Sequence, residues 1–363
     1  MTAEHGGRVY EFARAFGRDM DDVRDFSAGI NPFGPPPFVL RAIAEALPRI
    51  RHYPDESHAA VKQALSERLA VPRQRLVCGN GATEAMELTV RALAPRRVLL
   101  FEPAFSEYAA IARRCGAAVR SLDLRVDARA TAADLPVPDD VEEGDLVIVN
   151  NPHNPTGVRW TSEQWGSAAM KWERRGAFTL FDESFIDFLE DAAECTALQG
   201  GEPSSRRIVV RSLTKMYTIP GLRFGYAVVP VAVAQRVEDN RDPWSVNVLA
   251  QAAAVAALQE GFGFERGTRE RMREERAYVQ GAWGMHRDVV LYAPTANFFL
   301  IRLSPSCAER VLQGAAAQGA LLRDCASFSG LGKGHLRIAI RRREDNVWLW
   351  EIVRNLLDTC VDN

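Results

Sequence analysis

Short apolar runs that end in polar or small residues recur through the first two thirds of the chain. Stretches with helical spacing, such as Ala59–Leu69, lie between them. The runs are rich in β-branched and aromatic residues, as buried strands are; they are Arg97–Phe101, Leu146–Val149, Phe178–Phe181 and Ile208–Val210. This alternation predicts an α/β fold with a mostly parallel sheet covered by helices on both faces.

The pattern changes beyond Trp244. Val248–Leu258 and Glu265–Arg276 have the composition and spacing of long helices. The rest of the chain predicts a strand, a helix, two strands and a helix, at Asn297–Arg302, Cys307–Ala317, Ala320–Arg323, His335–Ile340 and Asp345–Leu357. This order is typical of a small α+β domain.

The segment Arg211–Tyr226 follows a buried strand and carries one lysine, Lys215, into a loop. A lysine near a buried strand end can lose its proton and form an imine with a carbonyl compound. The hydroxyls of Ser212 and Thr214 and the guanidinium of Arg223 are groups that bind phosphate. An imine-forming lysine beside a phosphate clamp indicates pyridoxal 5′-phosphate (PLP). A surface loop with incidental hydroxyls is the alternative, and three further segments weigh against it.

Two of these segments bring a polar side chain to the end of an apolar strand. The strand Phe178–Phe181 runs into Asp182, and Val147–Val149 runs into a turn with Asn154. A buried carboxylate can hold a proton on the pyridine nitrogen of PLP, which makes the ring an electron sink. An amide can donate to the oxygen on that ring. An isolated aspartate at a strand end is more often a helix N-cap.

The third segment, Leu76–Leu88, predicts a strand, a glycine-rich turn and a helix. The free N–H groups at the start of such a helix form an anion site, although the turn alone could be a simple connection. All four segments end at strand termini, where open α/β sheets bind ligands. Together they predict a PLP site.

Composition narrows the class of protein further. The 363 residues, 47% of them hydrophobic and 25% charged, suffice for a large core and a second domain. A net charge of −2 gives no reason to expect a nucleic-acid or membrane partner. The six cysteines show no spacing typical of disulfides or metal sites. With no apolar leader or spanning stretch, we expect a cytoplasmic protein without a metal.

These segments resemble fold-type I PLP enzymes of the aspartate aminotransferase superfamily. The similarity lies in the branch that holds histidinol-phosphate aminotransferase and threonine-phosphate decarboxylase, and it runs from His5 to Arg341. It implies a mostly parallel central sheet in a large domain at 36–255. A small α+β domain at 256–363 would be joined by an N-terminal arm at 1–35.

The resemblance also implies the cofactor contacts. Lys215 would carry PLP as an imine, Asp182 would pair with the pyridine nitrogen, and Asn154 would bind the ring oxygen. The family stacks an aromatic on the ring at the position of Phe105, and in a homodimer it sends a tyrosine at the position of Tyr53 into the neighbouring subunit's site. The cofactor phosphate would be held by Ala82, Thr83, Ser212, Thr214 and Arg223.

Three segments favour the decarboxylase over the aminotransferase. Phe185 stands where histidinol-phosphate aminotransferases usually carry a tyrosine beside the ring oxygen of PLP. The segments 219–223 and 242–247, and the turn Ser27–Pro32, resemble those of the decarboxylase. The implied reaction is decarboxylation of L-threonine O-3-phosphate to (R)-1-amino-2-propanol O-2-phosphate, which supplies the aminopropanol linker of cobalamin. Histidinol-phosphate or related aminotransfer is the alternative.

The substrate's anionic groups need cationic partners that the cofactor does not use. Arg323 and Arg337 follow one another on two predicted strands, and arginine binds carboxylate or phosphate with two parallel hydrogen bonds. A single arginine is more often a surface ion pair of little weight. The resemblance assigns both to substrate binding, helped by His5, Asn31 and Tyr53 of the partner subunit. His153, inside the Asn154 turn, is interpreted as structural.

A ligand-sensing module fused to a DNA-binding domain is a second class with this fold. Such a fusion needs a basic helix-turn-helix segment ahead of the PLP domain, whereas the similarity begins within the first ten residues. A catalytically inactive relative would be expected to lose Lys215 or Asp182, and both are present. We therefore predict an enzyme.

Overall fold

The computed structural model describes residues 5–128, 135–198 and 204–360. Within these residues the strands are β1 (Arg24–Asp25), β2 (Leu76–Gly79), β3 (Arg97–Glu102), β4 (Ala118–Asp123), β5 (Asp145–Asn150), β6 (Phe178–Asp182), β7 (Arg207–Ser212), β8 (Gly225–Val228), β9 (Val290–Leu291), β10 (Phe298–Arg302), β11 (Ala320–Leu321), β12 (Arg323–Asp324) and β13 (His335–Ala339). The α-helices of the same residues are α1 (Val9–Phe16), α2 (Pro37–Ala46), α3 (Ala59–Leu69), α4 (Ala82–Leu93), α5 (Ser106–Arg114), α6 (Ser162–Arg174), α7 (Ala192–Cys195), α8 (Leu213–Met216), α9 (Val231–Glu238), α10 (Val248–Glu260), α11 (Phe262–Trp283), α12 (Pro305–Ala317) and α13 (Arg343–Asp358).

The largest sheet has the strand order β2-β8-β7-β6-β5-β3-β4. Strand β8 runs antiparallel to both of its neighbours, and the other pairs are parallel. The predicted α/β fold with a mostly parallel central sheet is therefore confirmed. Because β3, β5, β6 and β7 run the same way, their carboxyl ends meet at one edge of the sheet. The polar residues that follow these strands come together there.

Both faces of this sheet are covered by apolar side chains. Val147 and Val149 belong to one buried cluster, and Leu146 and Ile148 belong to the other. This alternation follows from the period of two in a strand, and it requires a sheet that is buried on both sides. Helices α2, α3 and α10 pack on one another over the first cluster, while α4 and α9 pack together over the second.

A smaller antiparallel sheet has the order β12-β13-β10-β9 and packs on a third apolar cluster with α11, α12 and α13. The arm residue Phe26 is fully buried in this cluster, and β1 pairs in parallel with β11. The predicted domain limits, at 35/36 and 255/256, stay predictions.

The prediction of one strand at Ala320–Arg323 is wrong. The first half, β11, pairs with β1 of the arm, whereas the second half, β12, pairs with β13. Leu322 lies between them and turns the chain from one partner to the other. A break of this kind depends on two distant pairing partners, so the local apolar pattern does not reveal it.

In the described ranges, no helix is both long enough and apolar enough to cross a membrane.

Candidate active site

A tight packing of glycines against the start of α4 forms an anion cradle. Gly81 has a φ of +93°, and a Cβ there would lie 2.2 Å from Nη2 of Arg223. A Cβ at Gly225 would lie 2.2 Å from the backbone nitrogen of Ala82. Only glycines therefore let the guanidinium and β8 approach the first N–H groups of the helix, next to Thr83. A helix start beside an arginine binds an anion such as phosphate.

The two predicted hydroxyls belong to the same cradle. Ser212 ends β7 directly opposite Gly225 of β8. Its Oγ lies 2.7 Å from Oγ1 of Thr214, and both residues are buried. Hydroxyls, guanidinium and helix start thus converge, and this donor set fits the phosphate of PLP.

Lys215 lies on α8, the short helix that follows β7. Its Nζ is 4.9 Å from the ring centre of Phe185, and its carbonyl accepts from the N–H of Asn31 at 3.0 Å. Burial lowers the pKa of Lys215 to about 8; the Asp182 carboxylate opposes this shift, and the charges of Arg223 and Arg337 add to it. A pKa near neutrality leaves part of the lysine as the free amine, which is the form that makes an imine.

Asp182 is buried at the end of β6 with a hydrogen-bond donor on each carboxylate oxygen. The phenol of Tyr108 donates to Oδ2 at 2.6 Å, and the N–H of Ser184 donates to Oδ1 at 2.9 Å. Asn150, opposite on β5, donates to the carbonyl of Asp182 at 2.9 Å. The two donors fix the orientation of this carboxylate at the sheet edge, and its pairing with a pyridine nitrogen stays a prediction.

Asn154 is held in the turn after β5 by two contacts. Its backbone N–H donates to Oδ1 of Asn150 at 2.8 Å, and its own Oδ1 accepts from Nη1 of Arg337. With the amide oxygen occupied by the arginine, the amide nitrogen is left as the donor of this side chain. That donor is what the predicted contact with a ring oxygen needs.

Aromatic rings gather where α5 begins. The Phe105 ring meets Tyr108 edge to face with centroids 5.5 Å apart, and meets the His5 ring in the same way at 5.8 Å. Nε2 of His5 lies 3.2 Å from the Glu107 carboxylate. The arm therefore brings His5 next to the residue predicted to stack on the cofactor.

The two predicted substrate arginines face each other across the small sheet, since Arg323 of β12 pairs in register with Arg337 of β13. Nη2 of Arg337 donates to the carbonyl of Ser27 at 2.6 Å, while its Nε is buried without a hydrogen-bond partner. Nη2 of Arg323 donates to Oγ of Ser327 at 2.9 Å. A cavity of about 470 Å³ between α1 and α12 reaches Arg323, His5 and Ser27.

Arg337 is a buried cation that contacts neutral acceptors. Among the described residues it forms no ion pair with a carboxylate. Burial lowers its pKa to about 10, with the Arg323 charge adding to the shift while Cys325 and Asp25 oppose it. The guanidinium stays protonated at neutral pH, so an anionic ligand would supply the missing counter-charge.

Two predicted residues have other contacts in the monomer. Asn31 is buried: its Nδ2 donates to the carbonyl of Met216 at 2.7 Å and to Thr268, and its Oδ1 accepts from the N–H of Phe33. Tyr53 is 78% exposed and stacks on Trp244 with ring centres 4.5 Å apart. The substrate contact of Asn31 and the reach of Tyr53 into a partner subunit stay predictions.

Sequence reasoning missed Tyr108, Asn150 and Ser27. Tyr108 lies one helical turn after Phe105, so the spacing of two aromatics was an available signal. Ser27 acts through its carbonyl, which no sequence pattern marks. His153 is buried with Nδ1 2.8 Å from the Thr156 hydroxyl, and burial lowers its pKa to about 4; its structural role stays a prediction.

A buried lysine with a lowered pKa, a carboxylate with two donors and an anion cradle at one sheet edge are the combination typical of fold-type I PLP-dependent enzymes. The chain belongs to the class I and II aminotransferase family, whose sequence profile matches residues 21–347. PLP is the cofactor of this chain.

Relatives with two different activities are similar to the chain. The threonine-phosphate decarboxylase of Salmonella typhimurium is 33% identical, over 98% of this chain and 97% of that protein. The histidinol-phosphate aminotransferase of Halobacterium salinarum is 31% identical, over 98% and 96%. The crystal structure of histidinol-phosphate aminotransferase from Sinorhizobium meliloti with PLP has a TM-score of 0.80 at 19% identity, over 96% of this chain and 95% of that one.

Proposed function

We propose that this chain decarboxylates L-threonine O-3-phosphate to (R)-1-amino-2-propanol O-2-phosphate, the aminopropanol precursor used in cobalamin biosynthesis. The observation that carries the proposal is Arg337, a buried guanidinium without a carboxylate partner among the described residues, opposite Arg323 in register. A substrate with both a carboxylate and a phosphate offers one anionic group to each arginine. The full-length similarity to a threonine-phosphate decarboxylase supports the same choice.

The arginines would decide which bond of the substrate breaks. When bound, PLP withdraws electrons from whichever bond at Cα stands perpendicular to its ring. Arg337 is fixed from two sides, by the Ser27 carbonyl and the Asn154 amide oxygen, so an anion on it has one allowed direction. With the phosphate on Arg323, the substrate would be held at two ends. We infer that binding at these two ends holds the Cα–carboxylate bond perpendicular to the PLP ring.

Lys215 would donate the proton that Cα needs after decarboxylation. A pKa of about 8 lets the side chain hold a proton at neutral pH and give it up to Cα once CO2 has left. Phe185 lies against the lysine nitrogen and meets Phe298 edge to face at 5.0 Å. These two rings keep water away from one side of the amine, so the lysine would be the proton donor there.

Aminotransfer to histidinol phosphate is the second candidate, because the cofactor cage serves both reactions and both activities occur among the relatives. The deciding experiment incubates the purified holoenzyme with L-threonine O-3-phosphate, and separately with histidinol phosphate plus 2-oxoglutarate. Release of CO2 in the first reaction, without glutamate in the second, is expected. Glutamate without CO2 would refute the decarboxylase and identify the aminotransferase.

We further infer a homodimer in which each site receives Tyr53 from the partner subunit. In the monomer Tyr53 is exposed beside other exposed apolar side chains, Leu47 and Ile50. The loop that carries Tyr53 is held by two hydrogen bonds: Gln251 donates to the carbonyl of Asp55, and Arg241 donates to the carbonyl of Glu56.

Hybrid dimers test this arrangement. Mixing Lys215→Ala subunits with Tyr53→Phe subunits places one intact site in each hybrid if Tyr53 acts in trans, so activity should return. Hybrids that form but stay inactive would place Tyr53 in its own subunit's site or outside any site.

A further inference from the structure

Helices α10 and α11 meet at Gly261, between the large and small sheets. Helix α10 packs on α2 and α3 over the first apolar cluster, whereas α11 packs on α13 and contributes to the third cluster. Leu336 and Ile338, the neighbours of Arg337 on β13, lie in that third cluster together with α11. The angle between α10 and α11 therefore decides where Arg337 stands relative to the large sheet, which positions Lys215.

The phenol of Tyr217 is bound to both helices at this junction. It donates to the carbonyl of Ala257 in α10 at 2.9 Å and to the carboxylate of Glu265 in α11, so one hydroxyl links the two helices. The contact leaves no room for a side chain at the junction, since a Cβ at Gly261 would lie 1.9 Å from the phenol oxygen. The Tyr217 ring also stacks on Phe264 of α11 with centroids 5.8 Å apart. Tyr217 is 1% exposed, so water does not compete for these hydrogen bonds.

Tyr217 follows Lys215 by two residues, and this lysine segment has a second link to α11. The link is Asn31 of the arm, whose N–H donates to the Lys215 carbonyl at 3.0 Å. Its Nδ2 donates to the carbonyl of Met216 at 2.7 Å and to Oγ1 of Thr268 in α11 at 3.1 Å. The lysine segment is therefore tied to α11 both directly, through the phenol, and indirectly, through the arm.

The reaction at Cα needs a fixed distance and direction between these two parts of the molecule. Lys215 would meet the substrate from the large sheet and Arg337 from the small sheet, and a misplacement of about 1 Å can cost about 100-fold in rate. We propose that Tyr217 is a positioning residue that fixes the angle between α10 and α11, and with it the position of Arg337 relative to Lys215. The proposal rests on the proposed role of Arg337 in substrate binding and adds the residue that sets its place relative to the lysine.

Tyr217→Phe tests this role, because it removes the hydroxyl and keeps the ring. In the holoenzyme the KM for L-threonine O-3-phosphate should rise roughly 5- to 30-fold, as expected for one lost buried hydrogen bond. The ratio of transamination to decarboxylation should rise as well, since Arg337 no longer holds the substrate carboxylate in one place. The dissociation constant of PLP should stay that of the original protein, because the hydroxyl that is removed faces α10 and α11 and not the phosphate cradle.

Further variants separate positioning from stability. Gly261→Ala keeps the phenol but disturbs the junction, because its Cβ would also lie 2.2 Å from the Ala257 carbonyl oxygen. It should give the same changes, and the double variant should be no worse than either single one. Tyr226→Phe is the matched control: it removes another buried phenol from the first cluster, on β8, and should lower the melting temperature without changing the product ratio. In an Arg337→Lys background, Tyr217→Phe should change the KM by no more than about twofold.

The outcomes are distinct from those that test the proposed function. If the original protein releases no CO2, decarboxylation is refuted, and the same variants are then compared by their KM for histidinol phosphate. If Tyr217→Phe does not fold, Gly261→Ala decides. A folded variant at the junction with the KM and product ratio of the original protein would overturn the positioning role. Equal changes in Tyr226→Phe would also overturn it, since they would reflect a general loss of stability.

Discussion

Arg211 of the large sheet, with a side chain 13% exposed, and the buried Arg337 of the small sheet have opposite kinds of partner. Arg211 of β7 donates to the buried Glu183 carboxylate at 2.9 Å and to the Thr196 hydroxyl at 2.8 Å. Arg337 of β13 donates to a carbonyl and an amide oxygen, and one of its nitrogens has no partner. Although burial lowers the pKa of Arg211, the Glu183 charge raises it overall, whereas burial lowers the pKa of Arg337 to about 10.

We interpret this difference as one between a charge that stabilises the fold and a charge that is kept for binding. A buried ion needs a counter-ion, because its desolvation costs several kcal/mol. In the large sheet the chain supplies the counter-ion itself, through Glu183, the residue that directly follows the neighbouring strand β6. In the small sheet, within the described ranges, no carboxylate plays that part for Arg337, so the fold tolerates a cost that an anionic substrate would remove. The comparison predicts opposite outcomes when each arginine is altered.

The largest effect is expected from breaking the structural pair. Glu183→Gln removes the nearer carboxylate of Arg211 and leaves the Asp187 carboxylate 4.0 Å away, so it should lower the free energy of unfolding by up to about 3–5 kcal/mol. Arg337→Met removes a charge that is already uncompensated, so the ligand-free protein should change by no more than about 1 kcal/mol, since two hydrogen bonds are lost as the desolvation cost disappears. Urea unfolding of both apoproteins measures the two values.

A double variant, Arg211→Met with Glu183→Met, is the matched control. Replacing a whole buried pair with apolar side chains is often neutral, so most of the lost stability should return. Equal destabilisation by Glu183→Gln and Arg337→Met would mean that both arginines are structural, and the binding role of Arg337 would be lost.

The next effect is on substrate affinity and reaction choice. Arg337→Lys keeps the charge but loses the fork, which should cost about 2–3 kcal/mol of binding, or roughly 30- to 150-fold in affinity. A looser grip should also let the Cα–H bond reach the perpendicular position, so the ratio of transamination to decarboxylation should rise. Titration with L-threonine O-3-phosphate and quantification of both products measure these changes. Unchanged affinity and product ratio would show that the anion is held elsewhere.

A smaller effect should be visible with inorganic phosphate alone. We expect the cofactor phosphate to fill the cradle at α4 in the holoenzyme, so that added phosphate reports on the arginines. At ten times its dissociation constant, phosphate should stabilise the protein by about 1.4 kcal/mol, seen as a higher melting temperature. Arg337→Lys should weaken this response, whereas the double variant at Arg211 and Glu183 should keep it. Equal responses from all three proteins would contradict a phosphate site at Arg337.

The sequence predicts the two regions unequally, for a physical reason. Asp182 ends an apolar strand, and Lys215 and Asn154 closely follow the ends of two others, so parallel strand order brings all three to one edge. The substrate arginines came from family resemblance, because the register of Arg323 opposite Arg337 is a property of strand pairing. The contact between Arg337 and the Ser27 carbonyl joins residues 310 positions apart. No local pattern contains that information, and the wrongly predicted single strand at 320–323 failed for the same cause.

The smallest expected effect is a shift in the pKa of Lys215. It is also the most specific one, since it reports on the uncompensated charge of Arg337 without a bound substrate. Burial lowers the pKa of Lys215 to about 8, and Arg337 and Arg223 contribute through their charges. Only the deprotonated amine forms the imine, so the rate of PLP uptake by the apoprotein should rise about tenfold between pH 7 and 9, with a midpoint near 8. Arg337→Met removes one of the charges that disfavour protonation, and its midpoint should therefore move to higher pH.

The double variant at Arg211 and Glu183 removes a cation together with its counter-ion, so its midpoint should stay near 8. Absorbance of the bound cofactor, followed after mixing apoprotein with PLP across this pH range, gives all three midpoints. The Glu183 carboxylate cancels most of the effect of the Arg211 charge on the pKa of Lys215. The charge of Arg337 has no such counter-ion and therefore acts on Lys215 more strongly. If Arg337→Met and the double variant share the original midpoint, the charge of Arg337 is balanced within the protein, and the distinction between the two arginines fails.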